Sequence, residues 1–370
     1  MMGLTKIIIS GGGTGGHIFP AIAIANALKR REPGCEILFV GAEGRMEMEK
    51  VPAAGYEIVG LKINGIQRGS ILKNLSLPFK IIGSLRKALK LIDTFKPDVV
   101  VGVGGYASGP LLLAASLKNI PYLIQEQNSY AGITNKWLGK KASKICVAFD
   151  GMDQFFPASK ILKTGNPVRQ EVIDVNNKHF IGAELLKLDP LKKIILVTGG
   201  SLGAGTLNKS IEKHIQEIVD QDIQLVWQTG KFYYAGIIKR LGLDFHPNVR
   251  ILEFLNRMDL AYAAADVIIS RAGAGTIAEL CLVNKPVILV PSPNVAEDHQ
   301  TKNAMALAKN NAAIIVVDRS AEDTLVETAL ALLNNKNRCE ELSMNIGKMA
   351  LPIADELIAT EVFNLVQKKN

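Results

Sequence analysis

The sequence predicts an α/β protein of two domains, each a parallel sheet covered by helices. Three observations predict it: a length of 370 residues, a strand–glycine loop–helix opening that occurs once in each half, and an alternation of short apolar strands with helical segments after both openings. A chain this long exceeds what one hydrophobic core ordinarily holds. With 48% hydrophobic and 21% charged residues it can bury two. Strands that are apolar throughout and alternate with helices belong to sheets buried on both faces.

Taken in order, Lys6, Ile7, Ile8, Ile9 and Ser10 form the first strand, GGGTGG at 11–16 the loop, and residues 18–28 a helix with Pro20 in its first turn. The second opening repeats this with a strand at 193–197, the loop GGSLG at 199–203, and a helix starting near Ala204. Further strands fall at 37–40, 99–103 and 122–124, then at 225–228, 267–270 and 287–290. The uncharged run 99–117 nearly matches a membrane span, but Gly102, Gly104, Gly105, Gly109 and Pro110 interrupt it. It reads as strand, loop and helix, and no transmembrane helix is predicted. The first apolar run is also too short for a signal peptide. KTGNP at 163–167 breaks an extended stretch and divides the chain into domains 1–164 and 165–370, with a final helix that can pack back on the first. Two such Rossmann-like domains, their sheets facing across a cleft, would bring the glycine loops together, because ligands bind beyond the C-terminal ends of the strands.

Charge is unevenly shared. Residues 1–165 carry 21 Lys/Arg against 11 Asp/Glu, whereas residues 166–370 carry 22 against 24. The first half should therefore meet something anionic. Within it, residues 62–96 mix eight basic side chains (Lys62, Arg68, Lys73, Lys80, Arg86, Lys87, Lys90, Lys96) and one acid, Asp93, with Ile71, Leu72, Leu75, Leu77, Phe79, Ile81, Ile82, Leu85 and Leu89. This mixture suits an interfacial segment, divided by Pro78, that packs one stripe inward and offers a smaller patch to an anionic membrane surface. Trp137 reads either as part of that surface or as core. Nucleic acid is excluded as a partner, since the segment lacks interleaved aromatics for base stacking. Cys35, Cys146, Cys281 and Cys339 lie far apart with no CxxC pair, which fits reduced thiols in a cytosolic protein.

Gly11, Gly13 and Gly16 fit GxGxxG, but no acidic residue closes the second strand to hold a ribose; Glu43 comes two residues late. A dinucleotide oxidoreductase is therefore not expected. The loop still suits an anion, because glycines admit close approach and helix N-termini favour negative charge. GVGGYASGP at 102–110, with Pro110 at the first helical position, and GGSLG at 199–203 offer two more such loops. Three exceed the needs of one mononucleotide and suggest two phosphorylated ligands. His17 adjoins the first loop and reads either as a general base or as a helix-start residue bonded to backbone. Thr276 and Glu279 have capping-box spacing, so Glu279 either satisfies backbone donors or binds two ribose hydroxyls. Asp220 and Asp222 have the spacing of a metal-binding DxD, but sit in a polar turn before a strand and read as surface.

GGGTGGHIFP (11–20), GVGGYASGP (102–110), QEQNSYAGITNKWL (125–138), GNPVR (165–169), GGSLGA (199–204), RAGAGTIAEL (271–280) and EDHQTKNA (297–304), in this order, resemble the MurG family, the lipid I N-acetylglucosaminyltransferases of peptidoglycan synthesis. The resemblance implies a GT-B fold and inverting transfer from UDP-N-acetylglucosamine to the 4-hydroxyl of the muramoyl sugar of lipid I, giving lipid II. It implies an acceptor- and membrane-facing first domain and a donor-binding second domain. Thr14, Gly15, Gly16, Asn128, Arg169, Ser201, Leu255 and Gln300 resemble donor contacts. Ala274, Gly275, Thr276, Ile277, Ala278 and Glu279 resemble the nucleotide segment, and Gly104, Gly105 and Tyr106 part of the acceptor diphosphate site. His17 is the preferred catalytic base and Glu126 the second candidate. No cofactor and no metal are expected. UDP-N-acetylglucosamine, lipid I and an anionic membrane are the expected partners at the cytoplasmic face of the inner membrane, with cell-wall synthesis or division proteins as candidates. Leu202 and Gly275 depart from commoner family residues. A catalytically silent nucleotide-sugar subunit, a UDP-N-acetylglucosamine epimerase and another lipid glycosyltransferase are the competing readings.

Overall fold

A computed structural model describes residues 4–63, 77–168, 170–173, 175 and 177–368. Arg169 lies outside them, as do Arg68, Ile71, Leu72, Lys73 and Leu75 of the basic segment. The chain forms two compact units, Met1–Val168 with Pro352–Asn370, and Arg169–Leu351. The division thus falls after Val168 rather than at Thr164, and the end of the chain belongs to the first unit.

Among the described residues the first unit holds β1 (Lys6–Gly11), β2 (Glu36–Ala42), β3 (Glu57–Leu61), β4 (Val99–Gly104), β5 (Tyr122–Glu126), β6 (Lys144–Val147) and β7 (Ile161–Lys163). They pair in parallel in the order β3-β2-β1-β4-β5-β6-β7. Side chains alternate between faces with the period of a strand. Ile7, Ile9, Val99 and Val101 pack with α1 (Gly15–Arg31) and α2 (Glu47–Ala53). Ile8 and Val100 pack on the other face, with α3 (Leu77–Phe95), α4 (Ser108–Leu117) and α5 (Ile133–Gly139).

The second unit repeats the plan. It has β8 (Ile194–Thr198), β9 (Gln224–Gln228), β10 (Val249–Leu252), β11 (Val267–Ser270), β12 (Val287–Leu289) and β13 (Ile314–Ile315), parallel in the order β10-β9-β8-β11-β12-β13. Its helices are α6 (Gln170–Ile173), α7 (His179–Leu185), α8 (Gly205–Asp220), α9 (Tyr234–Leu241), α10 (Met258–Ala264), α11 (Ala274–Val283), α12 (His299–Ala308), α13 (Ala321–Leu333) and α14 (Lys336–Gly347). Trp227 is buried, its indole N–H donating to Asn208 Oδ1 at 2.9 Å. The last helix, α15 (Ala354–Gln367), returns to the first unit. There Ile358, Ala359 and Val362 are fully buried in the α1 layer, and Arg30 reaches Asp355 at 2.7 Å and Glu356 at 2.6 Å. Burying each large aliphatic there contributes about 1.5–3 kcal/mol.

Both sheets reverse their strand order beside their first strand, between β1 and β4 and between β8 and β11. Crevices at the C-terminal ends of strands open at such reversals. The loops after β1 and β4 meet at one reversal, where Gly105 packs on Gly12, whereas in the second unit the loop after β8 packs on the loop after β9 at Thr229 and Gly230.

Several helix starts differ from expectation. α1 begins at Gly15, which leaves Pro20 beyond the first turn, where it cannot donate to the Gly16 carbonyl. α4 begins at Ser108, making Pro110 its third residue, whereas α8 begins at Gly205, capped by Ala204, where it is expected. Pro78 is the second residue of α3 as described, and the part of the basic segment that it is expected to divide from this helix lies outside the described residues.

Candidate active site

In the first unit β1 ends at Gly11 and the chain turns through Gly13, whose φ of +84° favours glycine. Thr14 is the extended cap of α1, and its carbonyl accepts from the N–H groups of His17 (3.1 Å) and Ile18 (3.2 Å). Gly15 and Gly16 open the helix, so their N–H groups belong to its electropositive end. Thr14 Oγ1 lies 3.2 Å from His17 Nδ1. The other edge of the imidazole faces Gly104, where an added methyl would come within 2.6 Å of Cδ2 and 2.8 Å of Nε2. Gly104 and Gly105 adopt φ of +101° and +92°, and the Gly12 N–H donates to the Gly104 carbonyl at 3.3 Å. Tyr106, 47% exposed, lies with its ring against Gly13. Buried Ser108 donates to the Ser10 and Gly104 carbonyls, both at 3.0 Å. The structure therefore brings Thr14, Gly15, Gly16, His17, Gly104, Gly105 and Tyr106 into one constellation.

Glu126 ends β5 and is buried. Its oxygens accept from the backbone N–H groups of Asn128 and Gly132, both at 3.1 Å, and from the Asn135 amide at 2.8 Å. Burial pushes its carboxyl upward in pKa, against the opposing effect of Asn135 and the loop amides. This arrangement holds the 128–132 loop, and Asn128 with it. Gln125 donates to Asn166 at 2.9 Å, and Asn166 donates to the Gln127 carbonyl at 3.0 Å. The GNPVR motif thus braces the QEQN motif from within.

In the second unit the loop after β8 has Gly200 and Gly203 at positive φ, and a methyl on Gly203 would strike the Thr229 carbonyl. Ser201 is exposed, and its carbonyl accepts from Lys231 N at 3.2 Å. The residue that caps α11 is Gly273, so Thr276 is third in the helix and Glu279 lies in its second turn. The capping-box alternative therefore falls. Half-buried Glu279 instead accepts from the Tyr262 hydroxyl at 3.2 Å. Ala274, Gly275, Thr276 and Ala278 are half-buried along the same turns, while the Ile277 side chain faces the core. The buried Leu255 donates its N–H to Gln228 Oε1 at 3.0 Å. Gln300 accepts from Ser292 N at 2.8 Å, which leaves its amide NH₂ as the end able to meet a hydroxyl. Glu297 and Asp298, just before α12, both take left-handed backbone, at φ of +56° and +53°. Such strain concentrates at ligand loops.

Arg271, first in its motif, pairs with Asp318 at 2.5 Å and donates to the Val290 carbonyl at 2.9 Å, while Asp318 accepts from Thr206 at 3.0 Å. It ties the ends of β11 and β12 to the start of α8. Asp222 binds Lys192 at 2.5 Å in the turn entering β9, at the opposite ends of the strands from the glycine loops. Among the described residues no cluster of His, Cys, Asp or Glu is arranged to hold a metal ion. Burial pushes the thiols of Cys146 and Cys281 up to about 12, far from thiolate chemistry at neutral pH.

The glycosyltransferase family 28 N-terminal domain matches residues 7–147, and the family 28 C-terminal domain matches residues 194–357. A protein of Parabacteroides distasonis named UDP-N-acetylglucosamine--N-acetylmuramyl-(pentapeptide) pyrophosphoryl-undecaprenol N-acetylglucosamine transferase is 55% identical over 364 residues, 98% of this chain and 99% of that one. One of the same name from Cytophaga hutchinsonii is 55% identical over 362 residues, 98% and 97% of the two chains. The crystal structure of Acinetobacter baumannii MurG superposes with a TM-score of 0.78 at 30% identity, covering 97% of this chain and 99% of that one. Two α/β units with parallel sheets, both family 28 domains and full-length relatives of one name place this chain in the MurG family of GT-B glycosyltransferases.

Proposed function

We propose that the chain transfers N-acetylglucosamine from UDP-N-acetylglucosamine to the 4-hydroxyl of the muramoyl sugar of lipid I, inverting the anomeric carbon and giving lipid II. The observation that carries this reading is the imidazole of His17 laid against the Gly104–Gly105 turn, which sets a proton acceptor beside an anion-receptive loop. Gly104, Gly105, Tyr106 and the start of α4 hold the acceptor diphosphate. With His17 Nδ1–H donating to Thr14 Oγ1, Nε2 keeps its lone pair and takes the proton from the acceptor hydroxyl. The acceptor oxygen attacks C1 of the sugar as the bond from C1 to the UDP oxygen breaks, and the electron pair leaves with UDP. The Ser201 loop and the start of α8 stabilise the charge that develops there. Thr14, Gly15, Gly16 and Asn128 meet the donor from the first unit. In the second unit Ser201, Leu255, Gln300 and residues 274–279 do so, and Arg169 joins them. Glu126 serves the loop that carries Asn128, and His17 is the base.

Radiolabelled UDP-N-acetylglucosamine supplied with and without a lipid-diphosphate muramoyl acceptor tests the reaction. Label entering the lipid fraction only with acceptor supports it; label released as free sugar whether or not acceptor is added refutes it. Glu279 gives a test of the donor site. Its carboxylate meets the ribose hydroxyls with Tyr262 steadying one oxygen. Charged hydrogen bonds of this kind contribute about 1.5–3 kcal/mol, so Glu279→Ala should raise the KM for UDP-N-acetylglucosamine roughly 10- to 100-fold with little change in kcat. Steady-state kinetics at saturating acceptor measure this.

The enzyme works as a peripheral protein on the cytoplasmic face of the membrane. Among the described residues no helix is long and apolar enough to cross a bilayer. α3 buries Ser84, Ala88 and Ile92 against the sheet and exposes Phe79 (78%), Ile81 and Ile82 among Lys80, Arg86 and Lys90. Trp137, on α5, is 61% exposed and so is not core. Apolar side chains among cations suit the interface of an anionic bilayer. The double change Phe79→Ser and Ile82→Ser should weaken binding to phosphatidylglycerol vesicles by about tenfold or more, since each buried side chain contributes about 1.5–3 kcal/mol. Turnover of a water-soluble acceptor should stay near wild type. Vesicle co-sedimentation with unchanged affinity would refute this surface.

A further inference from the structure

We infer that Glu47 is a positioning residue for the catalytic loop: its buried carboxylate fixes the peptide between Gly12 and Gly13, and through it the place of His17 against the acceptor turn. The inference rests on the assignment of His17 and Gly104–Gly105 given above and adds a residue that neither a motif nor the proposed mechanism uses.

Glu47 opens α2 and is 0% exposed. An acid in the first turn of a helix ordinarily stays in solvent, where the helix end favours it. Burying a carboxylate is costly unless hydrogen bonds replace its water. Here both oxygens are met by backbone donors: Oε2 by Gly13 N–H at 2.9 Å and Oε1 by Ala42 N–H at 3.0 Å. The carboxylate therefore ties the loop after β1 to the end of β2. Two glycines make room for it. A methyl on Gly12 would fall on the carboxylate itself, and one on Gly41 would come within 2.6 Å of Cγ.

The acceptor turn grips this loop on its other side, at the preceding peptide through Gly12 N–H and at the Gly12 carbonyl. Gly12 N–H donates to the Gly104 carbonyl, and Gly105 packs so closely that a methyl there would strike the Gly12 carbonyl. Gly13 is followed at once by Thr14, which caps α1 and contacts His17. One carboxylate thus sets the height of the loop that carries the base and abuts the diphosphate cradle. An apolar side chain would fill the space but leave two N–H groups unmet. Glutamine fits as well, yet turns an NH₂ toward one of them.

Glu47→Gln tests the idea, because it preserves volume and opposes one of the two bonds. Misplacing a reacting group by an ångström can cost about 100-fold, so kcat should fall by roughly that factor. The affinity for UDP, held by the second unit, should remain at the wild-type value. Hydrogen exchange should quicken at residues 12–17 and 104–106 and stay unchanged elsewhere in the first unit. A role confined to stability would instead raise exchange across the whole unit and leave kcat per folded molecule intact. That outcome, or wild-type kcat in a folded Glu47→Gln enzyme, overturns the inference. Should Glu47→Gln not fold, Glu47→Asp, which keeps the charge and shortens the reach, carries the same expectations. His17→Ala, measured alongside, separates the two layers. An inactive His17→Ala with a fully active Glu47→Gln sinks only the role of Glu47, whereas an active His17→Ala sinks the base assignment.

Discussion

Replacing His17 by alanine should lower kcat by roughly 10²- to 10⁴-fold, the span that a positioned general base contributes. UDP should bind as it does to the wild type, because the proposed nucleotide contacts, Leu255, residues 274–279 and Gln300, do not include His17. The asymmetry follows from the position of the imidazole: Nδ1 is engaged with Thr14, and the Nε2 edge lies over Gly104. A group placed to take a proton matters in the transition state and little in the ground state, so its loss appears in kcat and kcat/KM together. Single-turnover transfer and calorimetric UDP titration measure the two quantities. Parallel losses in both would show that His17 shapes the loop and does not take the proton. Thr14→Val, which removes only the partner of Nδ1, should fall between wild type and His17→Ala.

Gly105→Ala should be nearly as damaging, for a different reason. Gly105 sits at φ +92°, which alone costs an alanine about 1–3 kcal/mol. Its methyl would also fall on the Gly12 carbonyl, 2.9 Å from Gly12 C and N, and backbone on both sides leaves no flexible side chain to yield. The two glycine loops must part, and with them the proposed base and the proposed diphosphate cradle. Turnover should drop by about 100-fold or more and the melting temperature should fall. Gly55→Ala supplies the control. It has nearly the same backbone, φ +87°, but nothing within 4 Å of the added methyl. It should lose stability through strain alone and keep its turnover. Equal loss of activity in both variants would mean that strain, not the interlocking of the loops, explains Gly105.

The repeated α/β plan was legible because its signals are local: unbroken apolar runs such as Ile7-Ile8-Ile9 stop at glycines, and strands buried on both faces leave no other pattern. Helix starts were less legible. Gly15 is a poor helix former by propensity, yet it begins α1 ahead of the expected Ile18, where Gly12 and Gly13 just before it are anchored by Gly104 and Glu47. The Thr276–Glu279 spacing copied a capping box, and only the position of Gly273 as the cap removed that alternative. Residues that act by reaching across the fold carried no local signal. Glu47 meets Gly13 from 34 positions away, Tyr262 meets Glu279 from 17, and Asn166 meets Gln125 from 41. Glu126 was legible as a carboxylate near the site, but its bonds to Gly132 and Asn135 depend on a loop whose path no spacing rule gives.

The return of α15 to the first unit has a consequence for how the protein is made. A ribosome releases the strands of the first sheet before the second unit, but the helix that covers part of one face emerges only after that unit. Until then the outer apolar side of α1 has no lid, and Arg30 has neither Asp355 nor Glu356 to meet. The amino-terminal half must therefore wait, incompletely roofed, while the whole second unit is synthesised.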